Sequence, residues 1–281
     1  MEENSRSSPA KSSEMGSLTR MLGVLDLFSP AAPIWTAEEI IRHTGQSRST
    51  CYRYIRALHK AGLISPVENG HFVLGSRILE LDKQIRECDP LYNATGGTLA
   101  HLSALTGHSS LLSGLYSDSV MCIRRNRVEG SPETIHSRGH RRSLFRGASA
   151  KIILAHLPTH QLKRLYTNNR HEIATTGLGA DWTAFRGILQ QMRKNGYAVT
   201  SGEAFAGVTG IAAPVFNRRG SVLGSVAIAF STKDYRADAS DTLVQAVVTA
   251  GEEASAAIRR YHHQLDLPAR AVNGGRSGSR S

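Results

Sequence analysis

Arg48, Ser49, Tyr52, Arg53 and Arg56 fall on one side of a helix-patterned segment that starts behind Ser47 and ends near Gly62, and no Asp or Glu interrupts it. Guanidinium, hydroxyl and phenol groups at that spacing suit phosphate oxygens and base edges. Cys51, Ile55 and Leu58 recur on the opposite side at core spacing. With Ser47 as N-cap and Thr50 in the first turn, the pattern is that of a helix laid into a DNA groove. A solvated basic face is the plainer alternative.

The elements around this helix are those needed to present it. Thr36-Ala37-Glu38-Glu39 is a capping box in sequence, and Ile40 and Ile41 give the helix behind it an apolar side. Thr44-Gly45 ends that helix with a residue suited to left-handed geometry. After Leu63-Ile64, Asn69-Gly70 sits between two extended runs within Ser65 to Leu74, a hairpin signal that predicts a wing carrying Asn69 and His71. Leu18, Met21, Leu22, Leu25 and Phe28 predict a preceding amphipathic helix that stops near Pro30. Ser76 opens a further helix with Ile78, Leu79, Leu81 and Ile85, ending near Asp89-Pro90. Together these predict a winged helix-turn-helix domain over 17–75 and a linker helix over 76–89.

The chain has 281 residues and a net charge of +11, which suits a polyanionic partner. Residues 1–88 nevertheless hold eleven Lys/Arg against ten Asp/Glu, so affinity for DNA has to come from local placement of cations. Downstream, Leu91 to Thr106 reads as a helix closed by Gly107, and Ser109 to Tyr116 and Ser119 to Arg124 as strands. Helices are predicted over Ser149 to Leu157, Trp182 to Asn195 and Asp241 to about His262, and strands over Tyr197 to Ser201, Gly210 to Phe216 and Val222 to Phe230. This is a second domain over 90–265, an antiparallel sheet with helices on its faces, which makes the fold class α+β. The polar, Ser/Gly/Arg-rich ends, 1–16 and 266–281, read as a disordered arm and tail.

No apolar run reaches a membrane span, and the first residues are not signal-like, so a cytoplasmic protein is expected. Cys51, Cys88 and Cys122 lack metal-ligand spacing and read as buried thiols; no cofactor or metal is expected. The motifs of nucleotide, dinucleotide and serine-hydrolase sites are missing, His171-Glu172 fails as a zincin because Thr175 stands at the fifth position, and Glu203 has no visible base beside it. Enzyme activity is not expected.

Ser17-Leu18-Thr19-Arg20, Val24-Leu25-Asp26-Leu27-Phe28, Ser49-Thr50-Cys51-Tyr52-Arg53 and Phe72-Val73-Leu74-Gly75 resemble the DNA-binding domain of the isocitrate lyase regulator (IclR) family. Gly139-His140-Arg141-Arg142, Gly147 to Lys151, Leu154 to Pro158, and the run from Gly196-Tyr197 through Glu203 and Gly207 to Val215 resemble that family's C-terminal domain. The resemblance implies a GAF-like effector-binding domain, a linker helix that helps form a dimer or tetramer, and a palindromic double-stranded operator. It also implies an effector site at Leu144, Ala148, Ser149, Thr200, Gly210, Ala227 and Ala229. The chain departs from the family where Phe145-Arg146-Gly147-Ala148 replaces a His-Ala-Thr-Ala-like loop and where Ala227 and Ala229 replace serines. Fewer hydroxyls imply a roomier, more apolar pocket for an aromatic or branched acid, its carboxylate met by Arg146 or by the N-terminus of the Ser149 helix. The expectation is a transcriptional regulator, a repressor by sign, controlled by a small organic acid. A DNA-binding protein that ignores metabolites is the alternative.

Overall fold

The computed structural model describes residues 9–132, 138–235 and 240–265, with side chains over 16–132, 138–235 and 240–261. The chain divides into two compact units, Met1–Cys88 and Asp89–Ser281. The expected tail over 266–281 and the first eight residues of the expected arm lie outside the described residues.

The first unit holds α1 (Pro9–Gly23), β1 (Trp35–Thr36), α2 (Ala37–Thr44), α3 (Arg48–Lys60), β2 (Ile64–Val67), β3 (His71–Leu74) and α4 (Arg77–Cys88). Helix α1 begins at Pro9, so residues 9–16 are helical where the sequence reading expects an unstructured arm. It gives way at Gly23 to a 3-10 turn, Val24–Leu27, which breaks the expected helical stripe. Because a 3-10 turn advances by three residues rather than 3.6, Val24 becomes the fully buried residue, while Leu18 and Leu22 stay exposed. Met21, Leu25 and Phe28 pack against the core of Val24, Ala37, Ile40, Tyr54, Ile55, Leu58 and Ile64.

Local chemistry accounts for each boundary here. Thr36 Oγ1 accepts the Glu39 N–H at 3.2 Å, and Glu39 Oε2 accepts the Thr36 N–H at 2.8 Å, which completes the capping box. Those bonds hold the Glu39 carboxyl below its usual pKa, the Thr36 backbone N–H being the main cause. Gly45 ends α2 with φ +64°. Strands β2 and β3 pair antiparallel with Val67 opposite His71, which leaves a three-residue tip, Glu68-Asn69-Gly70, with Asn69 at φ 59° and Gly70 at φ +72°. The sequence reading misses β1, whose two residues extend the wing to three strands in the order β1-β3-β2; two residues are too few to show a period.

The second unit is built on a six-stranded antiparallel sheet, order β6-β5-β4-β9-β8-β7: β4 (Ser109–Tyr116), β5 (Ser119–Asn126), β6 (Arg141–Ser143), β7 (Ala198–Ser201), β8 (Val208–Phe216) and β9 (Val222–Ser231). The expected helix from Leu91 is two, α5 (Pro90–Ala94) and α6 (Gly96–Thr106), broken at Thr95, whose buried hydroxyl bonds back to the Leu91 carbonyl at 2.7 Å. They pack with α11 (Ser240–Leu265) on one face of the sheet, against Leu112, Ile211, Val226, Ile228 and Phe230. Alternation along the strands sends Leu111, Cys122, Ala212, Ala227 and Ala229 to the other face, under α7 (Ala148–Ala155). Beyond α7, α10 (Trp182–Asn195) closes a second cluster on that face, with α8 (Thr159–Asn168) and α9 (Arg170–Ala174) at its margin. Among the described residues no helix is long and apolar enough to cross a membrane. Cys51 and Cys122 are buried as expected, but Cys88 is exposed at the end of α4, a helix that buries none of its residues.

Gly75 joins the end of the wing to the turn that follows α3. Its N–H donates to the Leu63 carbonyl at 2.8 Å, and a Cβ on it would stand 2.1 Å from the Gly62 carbonyl oxygen. Gly75→Ala is therefore expected to destabilise the first unit by about 1–3 kcal/mol, read as a lower urea midpoint for its unfolding with the second unit's transition unchanged.

Candidate nucleic-acid interface and ligand pocket

Each residue of α3 turns the side-chain direction by roughly 100°. Cys51, Tyr54, Ile55 and Leu58 are thereby buried together, and Arg48, Ser49, Tyr52, Arg53 and Arg56 all face solvent on the other side. Ser47 fixes the start of the helix: its Oγ accepts the Thr50 N–H at 3.3 Å and donates to Thr50 Oγ1 at 2.9 Å. The Thr50 and Thr36 hydroxyls are thus engaged in the helix ends, whereas the arginines are presented on the surface.

Two features of this surface are not legible from α3 alone. Tyr54 is core, its hydroxyl 2.9 Å from Ser17 Oγ, and the Arg53 guanidinium sits 6.0 Å from its ring. The Tyr52 hydroxyl reaches across to Glu38 Oε1 on α2 at 3.4 Å, so an acid stands beside a helix that itself has none. On the wing, Asn69 is exposed at the tip, and His71 is half-buried with Nδ1 3.1 Å from the Glu68 carbonyl.

In the second unit the small residues of the α7 face leave a cavity of about 30 Å³ between the start of α7 and strands β4, β9, β8 and β7. Ala148, Ser149, Thr200, Gly210, Ala227 and Ala229 all line it, which is where the family resemblance puts them. Leu144 does not; it is fully buried in the cluster beyond α7. Nor does Arg146, whose guanidinium turns outward to Thr175 Oγ1 at 3.1 Å and toward Glu172 at 3.9 Å. The expected roominess is absent as well, since Ala204, Phe205 and Val208 also line the cavity and occupy space that the small side chains leave. At roughly 10–15 Å³ per water, it has room for about two.

A cation does line the cavity, from an unexpected place. Arg142, in the middle of the short edge strand β6, contributes to the wall. Burial pulls its guanidinium down to about 10, with the neighbouring Cys122 thiol acting in the opposite sense. Burial likewise pushes the Cys122 thiol up, against the pull of Arg142. The Arg142 Nε and Nη2 are both shut off from solvent and, among the described residues, have no hydrogen-bond partner. Two guanidinium nitrogens shut off from water without an anion are costly.

Glu203 is not a lone acid. Its Oε1 accepts from Lys151 Nζ at 2.7 Å, and its Oε2 accepts the Gly147 N–H at 3.2 Å; Lys151 also donates to the Thr176 carbonyl at 2.7 Å. The Lys151 side chain is 4% exposed. This pair ties the loop 202–207, which carries Ala204 and Phe205 over the cavity, to the first turn of α7. Sequence reasoning misses it because the partners lie 52 residues apart. Both Glu203 oxygens are thereby occupied.

Comparison with known proteins agrees with the two-unit division of labour. The family profile described as "IclR helix-turn-helix domain" matches residues 17–68, and that described as "Bacterial transcriptional regulator IclR C-terminal" matches residues 87–256. The chain is 30% identical over 225 residues to the HTH-type transcriptional regulator XynR of Escherichia coli (strain K12), covering 79% of this chain and 88% of that one. It is 24% identical to KdgR of the same organism, over 88% and 94% of the two chains. Among solved structures, an IclR transcriptional regulator from Alicyclobacillus acidocaldarius superposes with a TM-score of 0.73 at 23% identity, covering 86% of this chain and 98% of that one. An IclR homolog from Microbacterium hydrocarbonoxydans, complexed with 4-hydroxybenzoate, gives 0.68 at 20% identity over 87% and 99%.

Lys151→Met should destabilise the second unit by about 3–5 kcal/mol, because it strands the Glu203 carboxylate and the Thr176 carbonyl. Glu203→Gln, which keeps shape and one acceptor, should cost less, about 1–3 kcal/mol. Urea unfolding of the single and double variants checks this; additive effects would show that the two residues do not act as a pair.

Proposed function

Because the chain belongs to the IclR family of bacterial transcriptional regulators, we propose that α3 reads a palindromic operator in double-stranded DNA and that the cavity under α7 receives a small organic acid that alters operator affinity. The observation that carries the first half is the solvent-facing stripe of Arg48, Arg53 and Arg56 on a helix whose other side is core. Ser49 and Tyr52 add hydroxyl groups to the same face, and Asn69 and His71 approach the backbone or minor groove from the wing. Ser47, Thr50 and Thr36 hold the helix ends toward the phosphates.

The second half rests on the cavity at Ala148, Ser149, Thr200, Gly210, Ala227 and Ala229, with alanine methyls for the body of a ligand and polar groups at the start of α7. An aromatic or branched acid enters it when the loop 202–207 yields at Phe205. That the Microbacterium homolog is complexed with 4-hydroxybenzoate, an aromatic acid, supports this class. Self-association as a homodimer or homotetramer is supported by apolar side chains left exposed: Leu18 and Leu22 on α1, and Leu79, Leu81 and Ile85 on α4. Two-fold assembly would present two α3 helices to paired half-sites. Repression is the proposed sign.

The test is a gel shift on DNA from the protein's own upstream region, or on a genomically selected site, at fixed salt with excess nonspecific competitor and titrated acids. Arg53→Ala should weaken operator binding by about 1–3 kcal/mol if Arg53 meets a base, and a phosphate role would instead lower the salt slope by about one. An unchanged dissociation constant and slope would remove Arg53 from the interface.

A further inference from the structure

Three observations meet at Arg142. It is held in register by the edge strand β6, opposite Val120 of β5, and it lines the cavity with Leu111, Ala148, Ser149, Thr200 and Ala229. Its Nε and Nη2, the two nitrogens on the side-on edge of the guanidinium, are buried and, among the described residues, unpartnered. The cavity lining contains no Asp or Glu among the described residues, and Glu203 on the loop above is already divided between Lys151 and the Gly147 N–H. Among the described residues, the cavity wall therefore includes a guanidinium whose two parallel N–H donors are unpartnered and which no carboxylate of the lining meets.

We infer that Arg142 is the carboxylate anchor of the effector, taking both oxygens of one carboxylate in a bidentate pair. This inference rests on the organic-acid reading above and names the residue that enforces it. The geometry suits it. Nε–H and one Nη2–H point in parallel and match the spacing of two carboxylate oxygens. A Cβ placed on Gly147 would lie 3.8 Å from Arg142 Nη1 and 3.0 Å from Ala204 Cβ, so the guanidinium stands beside the first turn of α7 and under the loop that covers the cavity. The Ala148 and Ser149 amides at the start of that turn have no carbonyl behind them within the helix and favour the same anion, whereas the Ala150 amide is taken by the Gly147 carbonyl at 3.2 Å. Arg146, the cation expected to play this part, is directed away to Thr175 and Glu172. An acid bound here neutralises a buried charge, so binding and stabilisation of the second unit are one event. A neutral analogue of the same shape leaves the guanidinium unpaired and gains none of this.

The full-length protein is titrated by calorimetry with glyoxylate, pyruvate, 2-oxoisovalerate and 4-hydroxybenzoate, each beside its neutral amide, and with inorganic phosphate as the rival anion. At least one acid is expected to bind while its amide does not. Arg142→Leu should weaken that acid roughly 10- to 100-fold, and Arg142→Lys, which keeps the charge but not the fork, should fall between. Without ligand, the Arg142→Leu protein should melt at or above the wild-type temperature, because an unpaired buried charge has been removed; this shows that lost binding is not lost folding. Undiminished acid binding by Arg142→Leu would overturn the assignment of Arg142 and leave the organic-acid reading standing. If Arg142→Leu does not fold, acid binding by Arg142→Lys equal to wild type overturns it in the same way. Binding of phosphate and of no carboxylate, or of no acid at all by the wild type, would overturn both.

Discussion

An ammonium group removed from water must be answered by an anion or by several strong acceptors, and much of the second unit follows from how Lys151 meets that demand. The lysine lies one turn into α7, on a helix all of whose residues are buried. Its charge is met by Glu203 and by the Thr176 carbonyl. Because the second Glu203 oxygen takes the Gly147 N–H, the same carboxylate also satisfies an amide at the mouth of the helix. The loop that carries Glu203 is thereby anchored at that residue, two positions before Phe205. The lid of the cavity and the helix that forms its floor are held by one charge pair, which explains why small residues on the sheet do not by themselves make a large cavity.

The first unit relies on short-range chemistry instead. The Thr36 and Glu39 box, the Ser47 cap, the left-handed Gly45 and the positive φ at Asn69 and Gly70 are contacts between residues at most a few positions apart. Such signals are written in consecutive letters, so the helix-turn-helix and the wing are legible in the amino-acid order itself. The parts of this unit that are not legible are those set by packing. Tyr54 looks like another polar residue on a basic helix, and only the fold brings Ser17 against its hydroxyl. The stripe of α1 looks continuous, yet the 3-10 turn redirects it toward Val24.

In the second unit the strands and long helices show their periods, and six of the eight expected pocket residues do line the cavity. What stays hidden there depends on separation. β6 has three residues and, among the described residues, pairs only with β5, so no alternation marks it, and Arg142 within it reads as one more arginine in a basic stretch. Arg146, closer to the helix, is the natural guess from sequence; Glu172 and Thr175 on a distant turn decide otherwise. The break at Thr95 is marked in sequence only by the Gly96-Gly97 pair behind it.

The placement of Arg142 on a three-residue edge strand has an evolutionary side. The hydrophobic clusters of the sheet and of α7 are assembled from other residues, and Arg142 belongs to none of them. A codon change there alters the charge of the cavity wall while leaving the sheet register, the helix and the charge pair above it in place. If Arg142 anchors the ligand as proposed, a lineage built on this scaffold can exchange one kind of small molecule for another by mutation at an edge, without first having to rebuild a core.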